Sequence, residues 1–155
     1  MNKTAKEISQ MIEYLGEITE TFAEKLCFIE KVNMFRGDNA AGKQFGIEKL
    51  VANFNFLKAS LVANKIPFVE VAPVTWQSQL KLILPKAERK EETQTMRKGR
   101  YKERAQDIFK ALTVTLWNSD ALLIMYFGFM KLQHDRDWIQ EKMPQEEWEN
   151  LFQHG

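Results

Sequence analysis

Two carboxylates in this chain stand in surroundings that a charge normally avoids. Glu30 closes the apolar run Leu26-Cys27-Phe28-Ile29, and Asp120 opens the apolar run Ala121-Leu122-Leu123-Ile124-Met125. A carboxylate beside so much hydrocarbon must be hydrogen-bonded, capped or bound to a cation to offset its desolvation. For Asp120 the simplest account is a favourable interaction with a helix N-terminus, Ser119 or Asn118 acting as the N-cap. For Glu30 it is a strand-end acid in solvent, paired with a lysine. If instead the two converge, they make an oxygen-rich site suited to Mg²⁺ or Mn²⁺. Such an ion can activate water and stabilise charge on a phosphodiester during in-line displacement. Two acids are a minimum for that chemistry, and a two-metal site wants three or four.

The elements that must position these acids follow from the hydrophobic pattern. The run at 25–32 reads as a strand buried on both faces, in a sheet covered by helices. In open α/β sheets ligands bind at the carboxyl ends of such strands, which is where Glu30 falls. A loop over 33–42 carries Gly37 and Gly42. Ile47, Leu50, Val51, Phe54, Leu57, Leu61 and Val62 then repeat at helical spacing, predicting a helix over 43–64 that packs on the sheet. Residues 66–71 read as a second strand, completing a strand–helix–strand unit. Upstream, Ile8, Met11, Ile12 and Leu15 predict a short helix over 3–15 that stops at Gly16.

Downstream, 73–82 predicts a short helix with Pro73 near its start. The charged stretch 85–99 lacks an apolar period and reads as a mobile loop. A helix is expected over 100–112, with Ala105, Ile108, Phe109 and Leu112 on one face. A last strong helix from Ser119 is apolar nearly all round, and so should be central and buried. Trp138, Pro144 and Trp148 fall in a terminal helical segment.

Composition sets the outer bounds. The chain has 155 residues, 45% hydrophobic and 28% charged, ordinary for one globular domain. No apolar run approaches the roughly 20 residues of a membrane span, and the first residues lack a signal peptide's apolar core, so a cytoplasmic protein is expected. The lone cysteine, Cys27, excludes an internal disulfide and a cysteine-cluster zinc site. The net charge of +1 conceals an uneven distribution. Nine basic residues against four acidic ones lie from Lys81 to Arg104, whereas six acidic against two basic lie from Asp135 to the end. A basic centre with an acidic tail is compatible with a polyanion site, and equally with a solvated loop. Gly37 to Gln44 comes close to a phosphate-binding loop. Gln44 stands where the Mg²⁺-holding hydroxyl belongs, and six residues separate Glu30 from Gly37.

Taken in order, FIEKVNMFRGDNAAGKQFG (28–46), FVEVAPVTWQSQL (68–80), KERAQDIF (102–109) and NSDALLIMYFG (118–128) resemble the RuvC-type Holliday-junction resolvases, in particular their phage-like branch. The resemblance covers roughly residues 5 to 130. It implies an RNase H-like α/β fold and a dimeric, Mg²⁺-dependent endonuclease acting on four-way or otherwise branched DNA. Glu30 would correspond to the family's strand-end glutamate and Asp120 to its last catalytic aspartate, both holding metal. Lys102 falls near a basic residue that approaches the phosphate, and Met34 and Phe35 lie in the loop that reaches toward the junction. The DNA contacts expected on this basis are Phe35, Arg36, Lys43, Lys81, Arg100, Lys102 and Arg104. The family pattern begins with a β-hairpin whose first strand bears an aspartate, and this chain starts at the following helix. The family's other helix acid is replaced here by Trp117. The expected organisation is therefore an N-terminally shortened RNase H-like domain over 1–134 and an acidic helical tail over 135–155, with little or no cleavage by this chain alone. A DNA- or partner-binding remnant without chemistry is the alternative, and a nucleotide-binding loop the third reading.

Overall fold

The computed structural model describes Lys6, Gln10 and residues 25–32 and 41–152, with side chains in the last stretch from Gly46 onward. Lys6 and Gln10 are helical, and the rest of the helix expected over 3–15 lies outside the described residues. The described part is mixed α/β and mostly helical. Strand β1 (Cys27–Glu30) leads to helix α1 (Ala41–Ala63), strand β2 (Phe68–Val71) and helix α2 (Pro73–Gln79). Helices α3 (Lys86–Arg89), α4 (Gln94–Ile108), α5 (Ser119–His134), α6 (Arg136–Gln140) and α7 (Gln145–Phe152) follow. β1 and β2 pair as a two-stranded parallel sheet, the strand–helix–strand unit expected from the pattern.

The chain forms two compact units. One comprises residues 1–27, 31–69 and 143–155; the other comprises 28–30 and 70–142 and contains both acids of interest. In the first, α1 ends in a Schellman turn. The Ile66 amide reaches back to Leu61 O at 2.9 Å, and Lys65 takes the left-handed conformation, φ 54°, that glycine usually supplies. Leu61 is buried there, but Leu50 and Val62 are exposed, so the apolar stripe of α1 is only partly covered. Cys27 is half-buried, and burial pushes its thiol up to about 11.

Among the described residues, most of the buried side chains lie in the second unit. Val71, Trp76, Tyr101, Ala105, Leu123, Phe127 and Ile139 are all buried. Pro73 occupies the first turn of α2, where its missing N–H is of no consequence and its fixed φ suits a helix start. α2 closes like α1: the Leu82 amide bonds Gln77 O at 2.7 Å, and Lys81 is left-handed at φ 58°. Phe28 of β1 lies directly on α5. A Cβ added to Gly128 would come within 2.6 Å of Phe28 Cγ, so the strand approaches this helix only because a glycine stands there.

Four sequence expectations change. β1 is not buried on both faces: Ile29 is buried, Cys27 and Phe28 are half-exposed, and Glu30 is exposed. A two-stranded sheet cannot cover a strand the way a wide one does. The charged stretch at 85–99 is not a loop throughout, since it contains α3 and the first turns of α4. Thr93 caps α4 by accepting from the Met96 amide at 3.2 Å, and Glu92 accepts from both Arg97 and Arg100. Polar helix ends held by caps and ion pairs leave no apolar period to read. α4 also stops at Ile108 rather than 112, because the Gln106 side chain takes over the next backbone groups: Phe109 O, Leu112 O and the Val114 amide. Finally, α5 is one-sided. Leu123, Ile124, Phe127 and Gly128 are buried, while Met125 and Phe129 are about half exposed. The terminal segment is two short helices, with Trp138 set edge-on to Phe127 at 5.4 Å in the second unit.

Candidate active site

β1 delivers Glu30 at its carboxyl end, and α2 brings Trp76 to meet it. The indole Nε1–H donates to Glu30 Oε2 at 2.8 Å. Trp76 is fully buried, so this bond both satisfies the indole and fixes the carboxylate. Behind Trp76 stands Tyr101 of α4, its ring centroid 5.6 Å away in an edge-on arrangement.

Asp120 occupies the first turn of α5, where a negative charge is favoured by the helix N-terminus. Neither neighbouring side chain caps the helix in the expected way. Asn118 holds the N-cap position, yet its Oδ1 accepts from the Thr115 amide at 2.7 Å, and Ser119 Oγ donates to Asp120 Oδ1 at 3.4 Å. The strongest partner of Asp120 is Lys98 of α4, which forms an ion pair with Oδ2. Both side chains are about one-third exposed.

Tyr101 is buried beside Trp76. Burial raises its phenol above the ordinary value; Arg100 and Arg97 oppose that, while the charges of Asp120 and Glu92 add to it. Glu30, Trp76 and Tyr101 are thus linked by contact, and Asp120 and Lys98 form a separate pair within the same unit. Among the described residues no group of three histidine, cysteine, aspartate or glutamate side chains is placed to hold a metal ion. Trp117, three residues before Asp120, is 95% exposed.

The expected DNA contacts fall into three groups. Lys81, Lys102 and Arg104 are exposed on the second unit. Arg100 is half-buried and internally engaged: Nε and Nη2 donate to Glu92 Oε1 at 3.1 and 2.6 Å, and Nη1 donates to Leu82 O. It pins the segment after α2 to α4. Phe35 and Arg36 lie outside the described residues, as do 37–40 of the near-match phosphate loop, and Lys43 is described in backbone only, within α1. A cleft of about 640 Å³ in the first unit, lined by Lys65, Ile66, Phe68, Glu147 and Leu151 among others, contains none of the expected site residues.

Sequence reading missed Lys98 and the work of Tyr101 and Glu92. The signal was present: the apolar face of α4 at Ile108 and Ala105 continues backward by helical steps to Tyr101 and Lys98. Reading 85–99 as a loop broke that stripe. No protein-family model matches the chain, and no curated protein matches it significantly.

Proposed function

We propose that this chain is a resolvase-like protein of RNase H-like ancestry that binds branched DNA as a dimer, with Glu30 and Asp120 as the remaining acids of a Mg²⁺- or Mn²⁺-dependent endonuclease site. The observation that carries the reading is that both acids belong to one compact unit, each with a named support. Glu30 accepts from the buried Trp76, which packs on Tyr101, and Asp120 at the head of α5 pairs with Lys98 of α4. The exposed cations Lys81, Lys102 and Arg104 of the same unit supply charge for a phosphate backbone.

The donor set is incomplete for the metal. Glu30 and Asp120 offer oxygens of the right hardness, but no third ligand joins them among the described residues, and Lys98 already neutralises Asp120. No step through the ion follows from these residues alone. That ion pair also favours a second reading, a DNA-binding protein that keeps the scaffold without the chemistry.

Binding to a synthetic four-way junction, followed over a salt series, tests the first part. Affinity should fall steeply with salt, with a log–log slope set by the phosphates contacted. A salt-independent or absent interaction removes the nucleic-acid reading. Nicking of the same junction in Mn²⁺ tests the second part. It should be weak, and abolished by Glu30→Gln, which keeps an acceptor for Trp76, and by Asp120→Asn. Robust nicking that survives both substitutions overturns the site assignment.

A further inference from the structure

Asp120 already has a cation, and the protein supplies it. Its Oδ2 pairs with Lys98 Nζ of α4, and its Oδ1 accepts from Ser119 Oγ at 3.4 Å. Each carboxylate oxygen therefore has a donor before any ligand arrives. The partners stand on two different helices, 22 residues apart in the chain, so tertiary packing makes the pair.

The helix leaves Lys98 little choice of partner. Side chains three and four residues away share its face. Those positions are Gln94, Thr95, Tyr101 and Lys102, and none is an acid. The other carboxylate tied to α4, that of Glu92, is already engaged by Arg97 and Arg100. An ammonium is content with one carboxylate oxygen and water, whereas Mg²⁺ or Mn²⁺ wants several oxygens. Among the described residues no third acid joins Glu30 and Asp120 to supply them. The acid at the head of α5 thus suits the protein's own cation better than a divalent one. Both members of the pair are about one-third exposed, so Lys98 can swing into water. It holds off another ion by competition and not by burial.

We propose that Lys98 is a built-in counter-ion of Asp120 that competes with a divalent cation for it, so that metal loads poorly while the pair is closed. The proposal rests on the metal-site reading above, and it concerns binding of the ion, not cleavage.

Mn²⁺ itself is the probe, its binding to the full chain followed by electron paramagnetic resonance in about 50 mM salt, where charges are little screened. Lys98→Gln should bind Mn²⁺ at least about threefold more tightly than wild type. Asp120→Asn added to Lys98→Gln should remove that gain. Lys98→Arg keeps the charge and should stay at wild-type affinity. So should Lys110→Gln, which deletes an exposed cation just beyond α4. If wild type binds Mn²⁺ through Asp120 and Lys98→Gln binds it no better, the proposal is overturned and the metal-site reading stands. A gain that survives Asp120→Asn, or that Lys110→Gln matches, also overturns it, because the effect is then one of net charge. If none of these proteins binds Mn²⁺, the proposal falls together with the metal-site reading.

Discussion

At the end of β1, Glu30 leans on a neutral donor. Trp76 is buried to 0% exposure, and its N–H reaches out at 2.8 Å to the exposed Glu30 carboxylate. At the head of α5, Asp120 leans on a charge instead. Its partner Lys98 is a long, one-third-exposed side chain that can rotate into water at small cost. The two acids thus share a unit without sharing a kind of support. One receives a hydrogen bond from an uncharged, buried indole. The other is positioned by an ammonium, which any cation arriving at Asp120 must displace. The strand-end acid is preorganised, and the helix acid is gated by electrostatics.

The largest effect should come from breaking the packed side. Trp76→Ala removes the biggest fully buried side chain of the second unit, and urea melts should show a loss of about 3–5 kcal/mol. Trp76→Phe keeps most of the packing and drops the N–H, so its loss should be about 1–2 kcal/mol. A melt of Trp76→Ala within about 1 kcal/mol of wild type would mean that the indole does not anchor this core.

How far the sequence foretold this arrangement depends on which signal carried each part. The strand–helix–strand unit, α2 and the start of α5 were legible, because apolar runs, Pro73 and the polar cluster before Ala121 mark them locally. The exposure of Glu30 was legible only in outline: a run of four apolar residues reads the same in a wide sheet as in a pair of strands. α3 and the first turns of α4 were hidden, since they are stabilised by side-chain pairing across sequence, Glu92 with Arg97 and Arg100, rather than by an apolar stripe. The partners of the two acids lie 46 and 22 residues away, so neither pairing could be read from local pattern.

The next effect, smaller, probes the frame on which Lys98 stands. Glu92 is 6% exposed and receives both arginines. Burial works to raise its pKa, but hydrogen bonds from Arg100 and Arg97 outweigh that and hold the carboxyl below the ordinary 4.5. A depressed folded-state pKa contributes stability that is present above the unfolded value and lost as pH falls through the folded one. Glu92→Gln should therefore cost about 1–2 kcal/mol near neutrality, and its melts should converge on wild type as pH drops below 4.5. A gap that stays constant down to strongly acid pH would trace the loss to packing rather than to the charged pair.

The smallest effect is the most discriminating. Lys98→Gln deletes an ion pair whose members are 36% and 33% exposed, and solvent screening limits such pairs to less than about 1 kcal/mol. Stability should barely move, and whatever difference exists at low salt should vanish in about 1 M salt, where the Debye length is near 3 Å. Trp76→Phe, measured alongside, should keep its deficit at every salt concentration, because the donor it removes is uncharged. If Lys98→Gln proves as damaging as the tryptophan substitutions and as indifferent to salt, Asp120 is held by structure and not by a displaceable cation. The contrast between the two acids would then be one of sequence position alone.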